Sequence, residues 1–125
     1  MDFPSDRRYT KEHEWIRLDG EVATVGITDF AQGELGDVVY VELQPAGTEI
    51  QRDEPFGTVE AVKTVSELYM PVTGRITEAN EELEGHPEYA NEDPYGKGWM
   101  IKIELADPSE VEALLTAEQY REIVD

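Results

Sequence analysis

A single lysine stands between two runs of β-prone residues in the middle of the chain. Lys63 follows the run 56–62 and precedes the run 64–70, and no other cation lies between Arg52 and Arg75. A lysine at the tip of a rigid hairpin exposes its primary amine to a modifying enzyme, while the flanking strands fix its direction. A prosthetic group attached there could move between partners without movement of the fold. The alternative, which spacing alone favours, is a solubilising lysine that blunts a hairpin.

The remaining residue types offer little catalytic chemistry. The chain contains no cysteine, so it has no disulfide, thiolate nucleophile, zinc–cysteine site or iron–sulfur cluster. His13 and His86 have neither a serine partner nor a metal-ligand spacing, and we interpret both as structural or surface residues. A calcium loop starting at Asn91 would need glutamate where Lys102 stands. We therefore expect a protein that is not an enzyme, and any redox chemistry must come from an added group.

The composition predicts one soluble, strongly acidic domain spanning residues 1–125. The 29 Asp and Glu residues against 10 Lys and Arg give a net charge of -19, which repels nucleic-acid phosphates and anionic membranes. No run approaches the roughly 20 apolar residues of a membrane helix, and the first residues lack the features of a signal peptide. We expect a cytoplasmic monomer without nucleic-acid or membrane partners. Composition leaves open whether the carboxylates also form a docking face.

Short extended runs separated by turn signals predict a mainly β fold. The runs 15–18 and 22–27 are joined by Asp19-Gly20, which is typical of a tight hairpin. Further strands are predicted at 38–43, 56–62, 64–70, 75–78 and 99–105. In the last run one face carries Trp99, Ile101, Ile103 and Leu105, and we expect the core on that side.

Helices are predicted to be short connectors or to lie near the end of the chain. Asp29 and Gln32 have the spacing of a capping box, and we expect Gly33 and Gly36 to end that helix.

The acidic segment 80–93 is interpreted as a loop with one helical turn near Glu88. A helix is predicted over 107–115, and Thr116 with Gln119 forms a second capping box before a final helix.

Blocks of sequence spread over nearly the whole chain match one known family. They are Tyr9-Thr10 with His13-Glu14-Trp15, Val25-Gly26-Ile27-Thr28-Asp29 with Ala31-Gln32, Leu35-Gly36-Asp37-Val38-Val39, Val59-Glu60 with Val62-Lys63 and Ser66, Pro71-Val72 with Gly74, and Asn91 with Asp93-Pro94-Tyr95-Gly96 and Gly98-Trp99. In these blocks the chain resembles the glycine cleavage system H protein. Ala61 stands where the family usually has the serine of Glu-Ser-Val-Lys, a small-for-small departure that bears on modification efficiency and leaves the lysine unchanged.

The resemblance implies a barrel-sandwich hybrid, the lipoyl-domain-like fold of two small antiparallel sheets with short helices, including helices at the C terminus. It implies lipoate in amide linkage on Lys63, with Glu60, Val62 and Ser66 in the segment recognised for modification. The dithiolane of lipoate would supply the exchangeable sulfurs that a chain without cysteine lacks.

The resemblance also implies a carrier and not a catalyst. In the family, a pyridoxal-phosphate glycine decarboxylase transfers the aminomethyl group of glycine to the lipoyl arm, and a tetrahydrofolate-dependent aminomethyltransferase then takes the one-carbon unit. Dihydrolipoyl dehydrogenase reoxidises the dithiol. The resemblance also implies that lipoate-attaching enzymes are partners of this protein.

The main alternative is an H-like relay that donates lipoate to other enzymes. A biotin carrier is disfavoured because Val62-Lys63-Thr64 differs from Met-Lys-Met, and an unmodified interaction module would require a bare lysine.

Family members are expected to shelter the loaded arm in a surface cleft, because water hydrolyses the group that it carries. A carboxylate in that cleft would hold the cationic amine by a charge-assisted hydrogen bond. Glu14 is the first candidate and Glu67 the second, with ordinary surface solvation as the alternative for both. Position 34 is glutamate, where some family members carry histidine, so details of release would differ.

Overall fold

Two antiparallel β-sheets form the body of the protein in the computed structural model, which describes residues 2–124. The strands are β1 (Arg8–Tyr9), β2 (Glu14–Asp19), β3 (Val22–Ile27), β4 (Val38–Leu43), β5 (Glu49–Ile50), β6 (Pro55–Ala61), β7 (Val65–Tyr69), β8 (Gly74–Ala79) and β9 (Ile101–Leu105). The helices are α1 (Asp29–Leu35), α2 (Glu82–Gly85), α3 (Tyr89–Glu92), α4 (Ser109–Glu112) and α5 (Ala117–Val124). The six-stranded sheet has the order β1-β2-β3-β9-β8-β5 and the three-stranded sheet the order β4-β6-β7.

The inward faces of the two sheets share one apolar core. Ile16, Val25 and Ile101 of the larger sheet lie in the same buried cluster as Val41 and Val59 of the smaller sheet. Apolar and polar residues alternate along β8 and β9 because successive side chains point to opposite faces, whereas β3 is buried on both faces. The predicted mainly β fold with two small antiparallel sheets and short helices is confirmed. Within residues 2–124 no helix has the length and apolar character needed to cross a membrane.

The predicted strands are present, with shifts of one or two residues at their ends, and the two-residue strands β1 and β5 were not predicted. The first hairpin is shifted by one residue, since Asp19 still pairs with Val22 and the turn is Gly20-Glu21. Gly20 has a φ of 72°, which glycine adopts without steric cost.

The prediction for the last strand is wrong at its start. β9 begins at Ile101, and the fully buried residue just before it is Met100, not Trp99. The Trp99 carbonyl accepts a 2.7 Å hydrogen bond from the Asn80 side-chain amide, and Trp99 packs on a separate aromatic cluster. The side chain of Asn80 thus binds the Trp99 carbonyl, which would bond to a neighbouring strand if β9 began at Trp99.

Helix α1 begins one residue earlier than the predicted capping box implies. Thr28 is the N-cap, and its hydroxyl accepts a hydrogen bond from the Ala31 N–H. Asp29 instead accepts a bond from the Gln32 side-chain amide at 2.9 Å. Gly33 lies inside the helix, so only Gly36 fulfils the predicted role of ending it.

The acidic segment contains two helical turns, α2 and α3, where the sequence predicts one near Glu88. The helix predicted over 107–115 ends at Glu112, because the backbone of Leu115 exchanges two hydrogen bonds with Tyr9. The second capping box is confirmed, since Thr116 and Gln119 exchange reciprocal side-chain to backbone bonds of 3.0 and 3.2 Å.

Helix α5 docks on the larger sheet through Tyr120. The Tyr120 ring stacks on Tyr9, and its hydroxyl lies 2.8 Å from His13 Nδ1 and 2.7 Å from Thr28 Oγ1. His13 therefore has a structural role, as predicted, while His86 lies at the surface and pairs with a neighbouring glutamate.

Candidate cofactor-attachment site

Lys63 lies at the tip of the β6–β7 hairpin. The strand pairing reaches Glu60 and Val65, and the Ala61 N–H then closes the turn by donating to the Thr64 carbonyl at 2.8 Å. Both Val62 and Lys63 are exposed at this tip. The hairpin on which the sequence places Lys63 is therefore present.

The hairpin tip contacts the turn that follows helix α1. The Val62 N–H donates to the Asp37 carbonyl at 3.0 Å, and the Lys63 stem lies against Gly36. A methyl group added at Gly36 would lie 3.2 Å from Lys63 Cε and 3.8 Å from Nζ. Gly36 also has a φ of 77°, which residues with a side chain rarely adopt. Glycine therefore suits this position for two reasons, its backbone conformation and the space that it leaves for the Lys63 stem.

The side chain of Asn91, on helix α3, holds that turn in place. Its amide nitrogen donates to the Gly36 carbonyl at 2.8 Å, and its oxygen accepts from the Val38 N–H at 2.9 Å. We call the segment 36–38 the lysine-side turn. Sequence reasoning missed Gly36 and Asn91 as site residues, although both lie in the blocks that carry the family resemblance. They are 55 residues apart in the sequence, so no local pattern joins them.

The residues of the modification segment take different positions. Glu60 is exposed on β6, and Val62 is exposed beside the lysine. Ser66 is half-buried and pairs with the buried Val59, so it faces the inner side of the hairpin. The structure exposes Glu60 and Val62 near Lys63 and places Ser66 on the inward face of the sheet with Val59.

Glu14 is a buried carboxyl group, with only 2% of its surface exposed. It accepts hydrogen bonds from the Thr10 hydroxyl at 2.7 Å and from the Tyr69 N–H at 3.1 Å. Burial raises its pKa to about 8, and these two hydrogen bonds act in the opposite direction. Within the described part of the chain, no Lys, Arg or His forms an ion pair with it. It is thus a buried acid without a compensating cation.

Strand β7 contacts Glu14 at its last residue and begins next to the hairpin tip that carries Lys63. Tyr69 ends β7, and Val65 begins it next to the hairpin tip. At about 3.3 Å per residue this strand covers roughly 13 Å. Glu67 lies between the two ends of β7 and is exposed. The structure therefore places Glu67 on the strand that starts beside Lys63, and Glu14 in contact with the far end of that strand.

A small β protein that presents a lysine at a hairpin tip, and has no cysteine of its own, has the architecture of a carrier for a covalently attached cofactor. A family model described as "Glycine cleavage H-protein" matches residues 7–125. The chain is 64% identical over 123 residues to the glycine cleavage system H protein of Salinibacter ruber, covering 98% of this chain and 99% of that protein. It is 58% identical over 123 residues to that of Bacillus subtilis, covering 98% and 97% of the two chains.

The fold comparison agrees. The crystal structure of a glycine cleavage system H protein from Mycobacterium marinum superposes with a TM-score of 0.88 at 38% identity, covering 96% of this chain and 97% of that chain. The chain belongs to the glycine cleavage H-protein family. Members of this family are non-catalytic carriers that hold lipoate covalently on a lysine, and they serve the enzymes of the glycine cleavage system. The predicted family, fold and carrier function are therefore confirmed.

Proposed function

We propose that Lys63 is the lysine that carries lipoate, and that residues 1–125 act as one carrier domain. The observation that carries this proposal is the exposed position of Lys63 at a rigid hairpin tip, with its stem beside Gly36. The other lysines differ, since Lys102 lies within β9, Lys97 Nζ lies 5.5 Å from the ring of Tyr89, and Lys11, although exposed, lies outside the hairpin. The hydrogen-bonded strands below Lys63 fix the attachment point, so that movement is confined to the side chain and the group on it.

Lipoate, when attached, supplies two exchangeable sulfurs for the one-carbon unit and for electrons. Lys63 contributes the amide nitrogen, and Glu60, Val62 and Ser66 form the segment by which the modifying enzyme recognises the hairpin. The partners that we propose are glycine decarboxylase, aminomethyltransferase, dihydrolipoyl dehydrogenase and a lipoate-attaching enzyme. The net charge of -19 supports a monomer through self-repulsion, and we propose the cytoplasm as its location.

Glu14 and Glu67 are our candidates for holding the far end of the arm. A lysyl-lipoyl chain has about 12 bonds from Cα to sulfur, or about 14 Å at roughly 1.2 Å per bond of extended chain. This reach is comparable with the roughly 13 Å that β7 covers from Val65 to Tyr69, so an arm laid along this strand passes Glu67 and points toward Glu14. A cation brought against Glu14 would favour loss of its proton and form a charge-assisted hydrogen bond with the carboxylate. Because its pKa is raised to about 8, Glu14 is mainly protonated and neutral at pH 7 when no cation is bound to it.

Peptide mapping tests the attachment residue. After co-expression with a lipoate ligase, the mass of one lipoyl group is expected on the peptide that contains Lys63, and the intact mass is expected to show one addition. Modification at Lys97 or Lys102, or a biotinyl mass instead of a lipoyl mass, would contradict the assignment.

Replacement of Gly36 by alanine is expected to slow lipoate attachment severalfold, because a misplacement of a reacting group by about 1 Å can lower rates roughly 100-fold and the shift required here is a few tenths of an ångström. The added methyl would lie 3.2 Å from Lys63 Cε and push the stem away. Gly20→Ala is the matched control, since Gly20 has a φ of 72° and nothing within 4 Å of the added methyl. Both residues have a positive φ, but Gly36 also has a ψ of -157°, a region essentially restricted to glycine, so the melting temperature should fall more for Gly36→Ala and the rates are compared where both variants are folded.

The measurement is the initial rate of lipoate incorporation into the apo protein with a purified ligase, followed by intact mass. Equal rates for Gly36→Ala and Gly20→Ala would show that the lysine-side turn does not position Lys63.

A further inference from the structure

Exposed apolar side chains are concentrated around Lys63. Val62 is 74% exposed and Val65 is 61% exposed on either side of the lysine, and Val39 and Tyr40 of β4 are 49% and 47% exposed. Elsewhere in residues 2–124 the large exposed apolar side chains are Leu18 and Ile123. Isolated apolar residues are ordinary on a protein surface, whereas a cluster beside a functional group indicates contact with another molecule.

The strand register joins these side chains into one surface. Tyr40 pairs with Glu60, and Glu60 pairs with Val65, so the three form a row across the outer face of the three-stranded sheet. The register shift between Val38 and Tyr40 makes Val39 a bulge residue, which explains why two consecutive side chains of β4 reach solvent.

A second row lies next to the first and is mostly acidic. It consists of Glu42, Thr58 and Glu67, and the Tyr40 hydroxyl lies 3.4 Å from the Glu42 carboxylate. Strands β4, β6 and β7 contain no lysine or arginine. We call the apolar residues Val39, Tyr40, Val62 and Val65, together with Glu42, Glu60 and Glu67, the tip face. Lys63 projects from an apolar patch bordered by carboxylates.

We propose that the tip face is the docking surface for the enzyme that attaches lipoate, an acyltransferase whose complementary surface has an apolar depression bordered by Lys or Arg. This inference rests on the proposal that Lys63 is the attachment residue. Acyl transfer to Nζ requires the acyl carbon to approach within about 3–3.5 Å, so the enzyme must close over the hairpin tip and cover the side chains around it.

Distance distinguishes this enzyme from the other partners. An enzyme that acts on the sulfur atoms works about 14 Å from the Lys63 Cα and can reach them without covering the base of the arm. The attaching enzyme alone acts on the lysine nitrogen itself. Tyrosine at the centre of a patch with a polar border is typical of the residues that contribute most to binding, and the valines around Tyr40 add apolar area that excludes water.

The carboxylates of the tip face define the charge of the partner. Glu42, Glu60 and Glu67 would oppose cationic residues, which speeds the encounter and makes it sensitive to salt. Screening over a Debye length of about 10 Å at 0.1 M ionic strength would weaken this attraction. The partner surface is therefore basic around its apolar centre.

The test uses the double variant Tyr40→Thr/Val65→Thr of the full chain. Threonine retains a high preference for strands, so the sheet should keep its stability. Leu18→Thr is the matched control, because Leu18 is 43% exposed on β2 of the other sheet. We expect kcat/KM for lipoate incorporation by a purified lipoate ligase to fall about tenfold or more in the double variant, through KM, and to stay within about twofold of wild type in the control. The kcat/KM of the wild type should also fall as sodium chloride rises.

Each outcome decides the proposal. If wild type gains lipoate on Lys63 and the folded double variant gains it as fast as Leu18→Thr, the docking surface is wrong and the lysine assignment stands. If wild type gains no lipoate on Lys63, the proposed function fails first. Normal attachment combined with a weakened response of glycine decarboxylase to the lipoylated double variant would assign the tip face to that enzyme and overturn this proposal. A melting temperature close to that of wild type excludes unfolding as the cause of a slower reaction.

Discussion

Lys63→Arg is expected to abolish lipoate attachment completely and to leave the fold intact. Amide formation needs a primary amine that can lose its proton and attack an activated acyl group, and a guanidinium with a pKa above about 12 does neither. Lys63 is exposed in the turn, so arginine should change the free energy of unfolding by no more than about 0.5 kcal/mol. Charge and most of the side-chain length are retained, so the loss would be chemical and not structural.

The measurement combines intact mass after co-expression with a ligase, thermal melting, and bicarbonate–glycine exchange with glycine decarboxylase. Lys11→Arg is the control, because Lys11 is also exposed but lies outside the hairpin. The control should be lipoylated and active, whereas Lys63→Arg should show no added mass and no exchange. Glycine cleavage supported by Lys63→Arg would refute the carrier mechanism at this residue. An unfolded Lys63→Arg would show that Lys63 has a structural role instead.

Features that depend on neighbours in sequence were predicted well. The β2–β3 hairpin, the Lys63 hairpin and the reciprocal bonds of Thr116 and Gln119 each arise from a few adjacent residues. Turn chemistry and alternation of apolar residues act locally, so a single sequence displays them. The N-cap of α1 was misplaced because Thr28 and Asp29 are both good capping residues, and only the backbone decides between them.

Features that depend on distant segments could not be predicted. Nothing near Gly36 indicates that the Lys63 stem will lie against it, or that Asn91 will bind its carbonyl. Glu14 occupies a polar segment that predicts a solvated surface, yet contacts from Tyr69, 55 residues away, bury it. The resemblance nominated Glu14 as a site residue, but its protonation state follows only from its burial.

Glu14→Gln is expected to stabilise the protein in a pH-dependent way. The pKa of Glu14 is about 8 in the folded protein against an ordinary value of 4.5, so between these values the unfolded chain loses this proton and the folded chain keeps it. Folded protein binds the additional proton, and stability therefore falls as pH rises through this window, by up to about 1.4 kcal/mol per pH unit from this group. Below about pH 4.5 the group is neutral in both states and the penalty is absent.

Glutamine keeps the size of the side chain but cannot ionise. Its oxygen can still accept the bond from the Tyr69 N–H, while the rearranged contact with Thr10 adds an offset that is the same at every pH. The stability of Glu14→Gln relative to wild type should thus increase from pH 4.5 to 8 by an amount on the order of a few kcal/mol. Urea unfolding at several pH values measures it. Glu67→Gln, which removes a carboxylate from an exposed position on β7, corrects for the change in net charge.

If the free energy of unfolding changed with pH in the same way for wild type and Glu14→Gln, Glu14 would be ionised in the folded protein. The proposal that Glu14 is a neutral acid before a cation binds would then fail. A widening difference would show that the chain keeps a carboxyl group which weakens its own fold. Buried acids without a cation partner are expensive, and they concentrate where function requires them. The neutral form of Glu14 needs no cation, whereas the ionised form has no ion-pair partner among residues 2–124, and under our proposal a cation at the end of an arm on Lys63 would supply one. The same substitution should therefore strengthen the fold while it weakens retention of that cation.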